Sequence, residues 1–356
     1  MISDYSLERA DGFQGPIVIS DPGNEDEKQL AAKYYAEEIL FLQDWYHQDG
    51  DTRHAGLDSV PFIWIGYAQS FLINGGGIFA PCLTVGEDSI YDSTNPIWKP
   101  MACAADCALI ENYIKTITVE PGKTYRLRII GAQELIGVNF AIQNHNMTVV
   151  EADGTIVEPF AVENLDIMPG QRYSVLVTFD QEVDTYLATT GVRYRSQSPT
   201  GYILFKYQGA GEGVPSILEG EVNNPFQGTA GFSTAVPPHP VWNDTEPTIA
   251  LETKLFAMHP NYFSDYSYIS QNVDSVIRRI VIAGNQLTQN STGKLRWAAN
   301  NVTSMMGAAP MITIAYDAVT TDGALPWPGT KIPGTLIVPD KPPSKFIVSD
   351  CFGRIL

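Results

Sequence analysis

The feature that most constrains this chain is the run from Asn139 to Pro159, NFAIQNHNMTVVEADGTIVEP. Its apolar β-formers Ile142, Val149 and Val150 are separated by Asn144-His145-Asn146 and Asp153-Gly154, residues that tolerate turn conformations. The run reads as three strands joined by two tight turns, a β-meander. Two other segments echo each other. Val119-Glu120-Pro121-Gly122-Lys123-Thr124-Tyr125 and Ile167-Met168-Pro169-Gly170-Gln171-Arg172-Tyr173 each place a Pro-Gly turn before an alternating strand. Tyr125, Leu127 and Ile129 fall on one face of the first, and Tyr173, Val175 and Val177 on one face of the second. That alternation buries one face, as a two-sheet barrel requires. Helix signals are poor, and Asp26 to Tyr35 has helical spacing for one or two turns. Residues 211–247 are rich in Pro, Gly, Asn and Thr and read as a linker. Strands are expected to resume at Thr248–Phe256 and Arg278–Ile282.

With 356 residues the chain has room for two or three domains, and 44% hydrophobic with 17% charged content is that of a globular protein. It has no apolar run of roughly 18 residues, so no membrane span is expected, and no leader peptide is recognisable. The formal net charge of −18 disfavours nucleic acid and anionic membranes, because a phosphate backbone would be repelled. It suits the solubility of a secreted acidic protein. Sequons begin at Asn146, Asn243, Asn290 and Asn301. Asn243 and Asn290 lie in loop-like sequence and are the expected glycan carriers. Asn146 and Asn301 sit in turns that run straight into strands, where restricted access is expected. Cys103-x-x-x-Cys107 has the spacing of half a metal site, but no histidine or further cysteine stands near enough in sequence to complete it.

Several motifs stand in a fixed order. Asp11 to Ile19 reads DGFQGPIVI, and Asp44-Trp45-Tyr46-His47-Gln48 follows. Then come Trp64-Ile65-Gly66, the Gln69–Gly77 segment QSFLINGGG, Lys123–Ile129, NFAI-x-NH with VVEADG, Gly170–Val177 and Arg296–Thr303. Together they strongly resemble the ascorbate oxidase and laccase group of three-domain multicopper oxidases, over most of residues 5–310. The resemblance implies an all-β chain of cupredoxin-like Greek-key β-sandwich domains, one complete middle domain flanked by partial ones. Residues 1–30 would be the remnant of a first domain, read as its last strands, 31–212 the second domain, 213–247 the interdomain linker and 248–356 the start of a third. The family commonly closes the long loop after the Asn-Gly segment with a disulfide, and Cys82 to Cys103 or Cys107 fits that pattern. Closing a loop of roughly 20 residues would contribute about 3 kcal/mol. Cys351 is then free, or its partner lies beyond this chain.

The same resemblance implies copper, held in the family by four His-x-His pairs and a His-Cys-His segment. In a strand, residues i and i+2 share a face, so paired imidazoles can approach one metal cluster; thiolate with imidazole suits a blue copper site. This chain has five histidines, His47, His54, His145, His239 and His259, and no two are separated by a single residue. Cys351 has no histidine neighbour. Where the family reads His-Ser-His, this sequence has Ile2-Ser3-Asp4, so the expectation is a chain incomplete at both ends that binds no copper itself.

Trp45 and Tyr46 are the best site-like residues. In the family this segment faces the reducing-substrate cleft, where flat aromatics could stack on a phenol or enediol ring; the competing role is core or interdomain packing. His47 and His145 match family positions that are not copper ligands and are expected to be hydrogen-bonded structural residues. His54 is expected at the surface and His239 solvated in the linker. Asp44 could cap a turn or position a substrate hydroxyl. Gly75-Gly76-Gly77 lacks the following Lys-Ser/Thr of a phosphate loop.

Two functions follow from the resemblance. One is a copper-dependent oxidoreductase that takes electrons from a small-molecule reductant and reduces O₂ to water, with this chain inactive alone. The other is a non-enzymatic, secreted cell-wall glycoprotein of the same ancestry.

Overall fold

The computed structural model describes residues 7–21, 23–78, 114–195, 199–211, 237, 239–255 and 282–303. All four cysteines, His259 and the Ile2-Ser3-Asp4 register lie outside the described residues, as does most of the expected strand at 278–282. Two compact units are present. The larger contains two sheets. One, six-stranded, has the order β2-β1-β4-β9-β6-β7; the other, five-stranded, has the order β3-β11-β10-β5-β8. The strands are β1 (Ala36–Trp45), β2 (Ser70–Ile73), β3 (Lys115–Val119), β4 (Thr124–Gly131), β5 (Gly137–Ile142), β6 (Met147–Ala152), β7 (Thr155–Val162), β8 (Asn164–Ile167), β9 (Arg172–Thr178), β10 (Thr185–Arg193) and β11 (Tyr202–Tyr207). β1 with β4 and β3 with β11 pair in parallel; the other ladders of the two sheets are antiparallel.

The alternation read from the sequence sets the core. Leu127 and Ile129 of β4, and Val175 and Val177 of β9, are fully enclosed. Phe140 and Ile142 of β5 and Phe205 of β11 are likewise buried in the core. Gly122 and Gly170 adopt φ of +74° and +88° in the two Pro-Gly turns, a conformation that costs a side-chain-bearing residue free energy. Asn74 of the Asn-Gly segment ties the β2 hairpin to β1: its amide donates to Ile39 O at 2.8 Å and its carbonyl accepts from Phe41 N at 2.8 Å.

Three expectations are corrected. The run 139–159 does form three strands, but not a meander. β5 pairs with β10 and β8 in one sheet, whereas β6 and β7 pair in the other. The Asn144–Asn146 turn is therefore a corner between sheets, and only Asp153-Gly154, both at positive φ, is a hairpin turn. The strand expected at Thr248–Phe256 is instead a helix over Glu246–Glu252, preceded in chain order by α1 (Glu25–Ala31) and α2 (Gly50–Leu57) and numbered α3. Asp244 Oδ1 accepts from Glu246 N at 3.1 Å and Pro247 sits in the first turn, a start signal that outweighs the Ile249/Leu251 alternation. α1 overlaps the helical stretch expected at 26–35, starting one residue earlier and ending at Ala31. α2 had no apolar periodicity to betray it, and starts because Asp49 caps Thr52 N at 2.7 Å. Finally, residues 7–21 form no strand. They make a turn at 7–12, held within the larger unit by side chains: Arg9 donates to Gln133 O, and Gln14, just after the turn, donates to Ala132 O.

The smaller unit contains β12 (Gly284–Thr288), β13 (Leu295–Ala299) and β14 (Val302–Thr303), an antiparallel sheet. Asp58 in the same unit accepts from Lys294 and from Arg296, the latter at 2.7 Å.

Candidate functional site

The outward row of the five-stranded sheet carries a buried polar cluster. Strand pairing sets Asn139 of β5 against Asp166 of β8 and Gly191 of β10, so Asn139, Asp166, Thr189 and Arg193 share one face. Such residues would ordinarily face water, yet Asn139 and Thr189 are 0% exposed and Arg193 is 1% exposed. The segment from His239 to α3 lies over them. Arg193 Nε donates to Asp166, its Nη1 donates to Val241 O at 2.6 Å, and its Nη2 donates to Asp244 O and to Thr248 Oγ1 at 3.2 Å. Thr248 passes the contact on by donating to Asp166 Oδ2 at 2.5 Å.

His239, expected in solvent, is wedged into this cluster and half-buried. Asn139 Nδ2 donates to Asn164 and Asp166, so its Oδ1 is the acceptor and His239 Nδ1–H is the donor, at 2.8 Å. Nε2 of the neutral ring then accepts from the Thr189 hydroxyl at 2.8 Å. Hydroxyl, imidazole and amide oxygen thus stand in the line a nucleophile, its base and the base's orienting group would occupy. No substrate reaches Thr189, so the arrangement holds the chain in place rather than reacting. Burial, reinforced by the Arg193 guanidinium, pushes His239 down from 6.5 to about 3.

Between about 3 and 6.5 the unfolded state binds a proton that folded His239 refuses. The residue's contribution is complete above about 6.5 and is lost as pH falls, at up to about 1.4 kcal/mol per pH unit. His47 and His145, both lowered by burial, act in the same direction. Urea unfolding from about pH 7 to pH 4 should show this decline, and His239→Gln should flatten it; an unchanged slope in that variant would contradict the assignment.

The family-motif histidines are also engaged. His145 Nδ1 donates to Gln143 O at 2.6 Å, so Nε2 accepts from the Tyr207 hydroxyl at 2.7 Å; that oxygen in turn accepts from Gln181 N at 3.1 Å. His47 Nε2 lies 3.0 Å from Ser70 Oγ, as expected of a structural histidine, and His54 is exposed on α2. Asp44 caps a turn: its carboxylate accepts from the backbone N–H of Glu134 (2.6 Å), Leu135 (3.0 Å) and Ile136 (3.1 Å). Burial pushes this carboxyl up while the three donors pull it the other way.

Trp45 is half-buried, with its ring against the backbone of Gly12, where a Cβ would come within 2.7 Å. Tyr46 is 6% exposed beneath the Arg53 guanidinium, 4.5 Å from the ring centroid. Burial, with Asp44 and Glu134 nearby, raises its phenol far above the ordinary range. All four sequon asparagines are exposed, including Asn146 and Asn301, because each tops a turn rather than entering a ladder. Among the described residues no group of three or more His, Cys, Asp or Glu side chains is placed to hold a metal, and no helix is long and apolar enough to cross a membrane.

Two twisted sheets with mixed parallel and antiparallel pairing, packed face to face, make the larger unit a cupredoxin-like sandwich. The chain belongs to the multicopper oxidase family, whose sequence model matches residues 36–210. It is 32% identical over 324 residues to an L-ascorbate oxidase of Brassica rapa subsp. pekinensis, covering 89% of this chain and 49% of that protein. To Laccase-4 of Trametes villosa it is 33% identical over 220 residues, covering 61% of this chain and 35% of the relative. Among solved structures, a mutant of the laccase from B. aclada superposes with a TM-score of 0.51 at 19% identity, covering 80% of this chain and 43% of the other, a likeness of fold. The chain spans about half the length of the ascorbate oxidases it matches.

The family's copper does not fit His47, His145 or His239, and exposed His54 belongs to no group of described side chains placed to hold a metal. The lone pairs of His145 and His239 are taken by Tyr207 and Thr189, and His47 Nε2 is taken up with Ser70.

Proposed function

We propose that this chain supplies the middle-domain scaffold of a copper-dependent oxidase, one that takes electrons from phenol- or enediol-type small molecules and reduces O₂ to water. The chain alone is inactive and holds no copper. The observation that carries this reading is the occupation of the His145 and His239 imidazoles by structural hydrogen bonds in a sandwich that otherwise keeps the family's motifs. Residues 31–212 act as the complete second domain, between a first-domain remnant (1–30) and the beginning of a third (248–356). The connector assigned to 213–247 is fixed at its far end, through His239 and Arg193, to the middle domain. Of the two aromatics, half-buried Trp45 keeps surface on which a substrate ring could stack. Oxygen uptake by the purified chain with ascorbate or a phenol, in the presence of Cu²⁺, should match the protein-free control. Uptake above that control, abolished by a chelator, would refute the reading.

The exposure of all four sequon asparagines favours a second reading, a secreted, non-enzymatic cell-wall glycoprotein. Secretion from a eukaryotic host with glycan at Asn243 and Asn290, together with retention on isolated cell wall, would support it. Peptide mapping with every sequon unoccupied would remove its basis.

A further inference from the structure

Three chain segments meet beside Asp44: the turn at 7–14, the end of β1 with α2, and the 131–136 loop. They are closely bonded through backbone carbonyls. Arg9 Nη2 donates to Gln133 O at 2.7 Å, Gln14 Nε2 to Ala132 O at 2.8 Å and Arg53 Nη2 to Ala10 O at 2.9 Å. Yet the same side chains carry buried polar atoms with no protein partner: Tyr46 Oη, both amide atoms of Gln133, the Nε of Arg53 and of Arg9, and Gln14 Oε1. Gln133 is 0% exposed and Arg53 3%. The Gln133 side chain folds back onto the Gly131 backbone: a Cβ there would come within 2.9 Å of its Oε1 and 2.5 Å of Met168 O, so the close approach requires glycine.

We propose that this junction is a built site for internal water, holding about two or three molecules with about three hydrogen bonds each. The chemistry of the lining selects the occupant. Tyr46, Gln133 Nε2, Arg53 and Arg9 present donors, while Gln133 Oε1 and Gln14 Oε1 present acceptors. An anion would meet the two amide oxygens and add charge beside Asp44 and Glu134. A cation would meet two guanidinium groups. A molecule that both donates and accepts satisfies the whole set, and the enclosure of Gln133 limits it to one taken up as the chain folds. The bound water ties the 7–14 turn to the end of β1 and gives the Tyr46 phenol a partner.

Tyr46→Phe gives a test with a definite sign. The ring and its stacking under Arg53 remain. If the hydroxyl is held by water, its removal strips a bridged hydrogen bond, and Tm of the full chain falls by roughly 2–4 °C. If the hydroxyl is bare, its removal relieves a buried unsatisfied group, and Tm is unchanged or rises. Gln133→Met, similar in volume, should lower Tm likewise, and a high-resolution crystal structure should show ordered water within hydrogen-bond distance of Tyr46 Oη. An unchanged or raised Tm in Tyr46→Phe, or density without water at that oxygen, would overturn the proposal.

Discussion

Arg193→Met is expected to destabilise the larger unit by about 3–5 kcal/mol, because it leaves Asp166, 3% exposed, as a buried charge without its cation. For a unit of this size that corresponds to a fall in Tm of roughly 6–20 °C. The same change removes the donors for Val241 O, Asp244 O and Thr248, so segment 239–252 should be released while the strands stay paired. Hydrogen exchange in that segment should rise before global unfolding. The double variant Arg193→Met with Asp166→Leu should recover much of the loss, since an apolar pair leaves no charge to solvate. A single variant within about 1 kcal/mol of the parent would show that the guanidinium does not hold the connector.

The second large effect is at Asp44. One carboxylate satisfies three consecutive backbone N–H groups, and the bond from Ile136 is fully buried. Asp44→Ala should cost about 3 kcal/mol or more, since each buried donor left bare costs about 1–3 kcal/mol and water re-enters only in part. Asp44→Asn separates hydrogen bonding from burial. Its amide oxygen can serve Glu134 N–H, but its NH₂ then faces the Leu135 and Ile136 donors, so it should lie close to the Ala variant. Urea denaturation of both variants checks this. An Asn variant as stable as the parent would mean that the loop rearranges and that the carboxylate is not its organiser.

How far the sequence could be read depended on where a residue's partners lie. The core of β4 and β9 was legible because alternation is local and both faces of each strand differ in polarity. The sheet change at the Asn144–Asn146 corner was not, because β5 and β6 have the same local pattern whichever strands they later pair with. Thr248–Phe256 misled because Ile249 and Leu251 alternate, while the signal that decides the helix is the Asp244–Pro247 start. Nothing in the local sequence marks Asn139, Asp166, Thr189 and Arg193 as a buried row. It is buried by a segment 46 or more residues further along the chain than Arg193, a distance at which sequence pattern carries no contact information. A hint was present, since a fully polar linker has no need of His239 between prolines. Asp44 showed the opposite limit: its partners are main-chain groups, present at every position and so invisible in the residue names. The family motifs were legible as wording, and their physical roles emerged only from contacts, as with Asn74 bridging Ile39 and Phe41.

We propose that this chain keeps the cupredoxin framework without a cage for the metal, none being formed among its described residues. The most direct test is equilibrium dialysis of the purified chain against Cu²⁺, followed by elemental analysis and an absorption spectrum. The account predicts no stoichiometric, chelator-resistant copper and no intense blue copper–thiolate band. Retention of one or more copper ions per chain, or the appearance of that band, would contradict it.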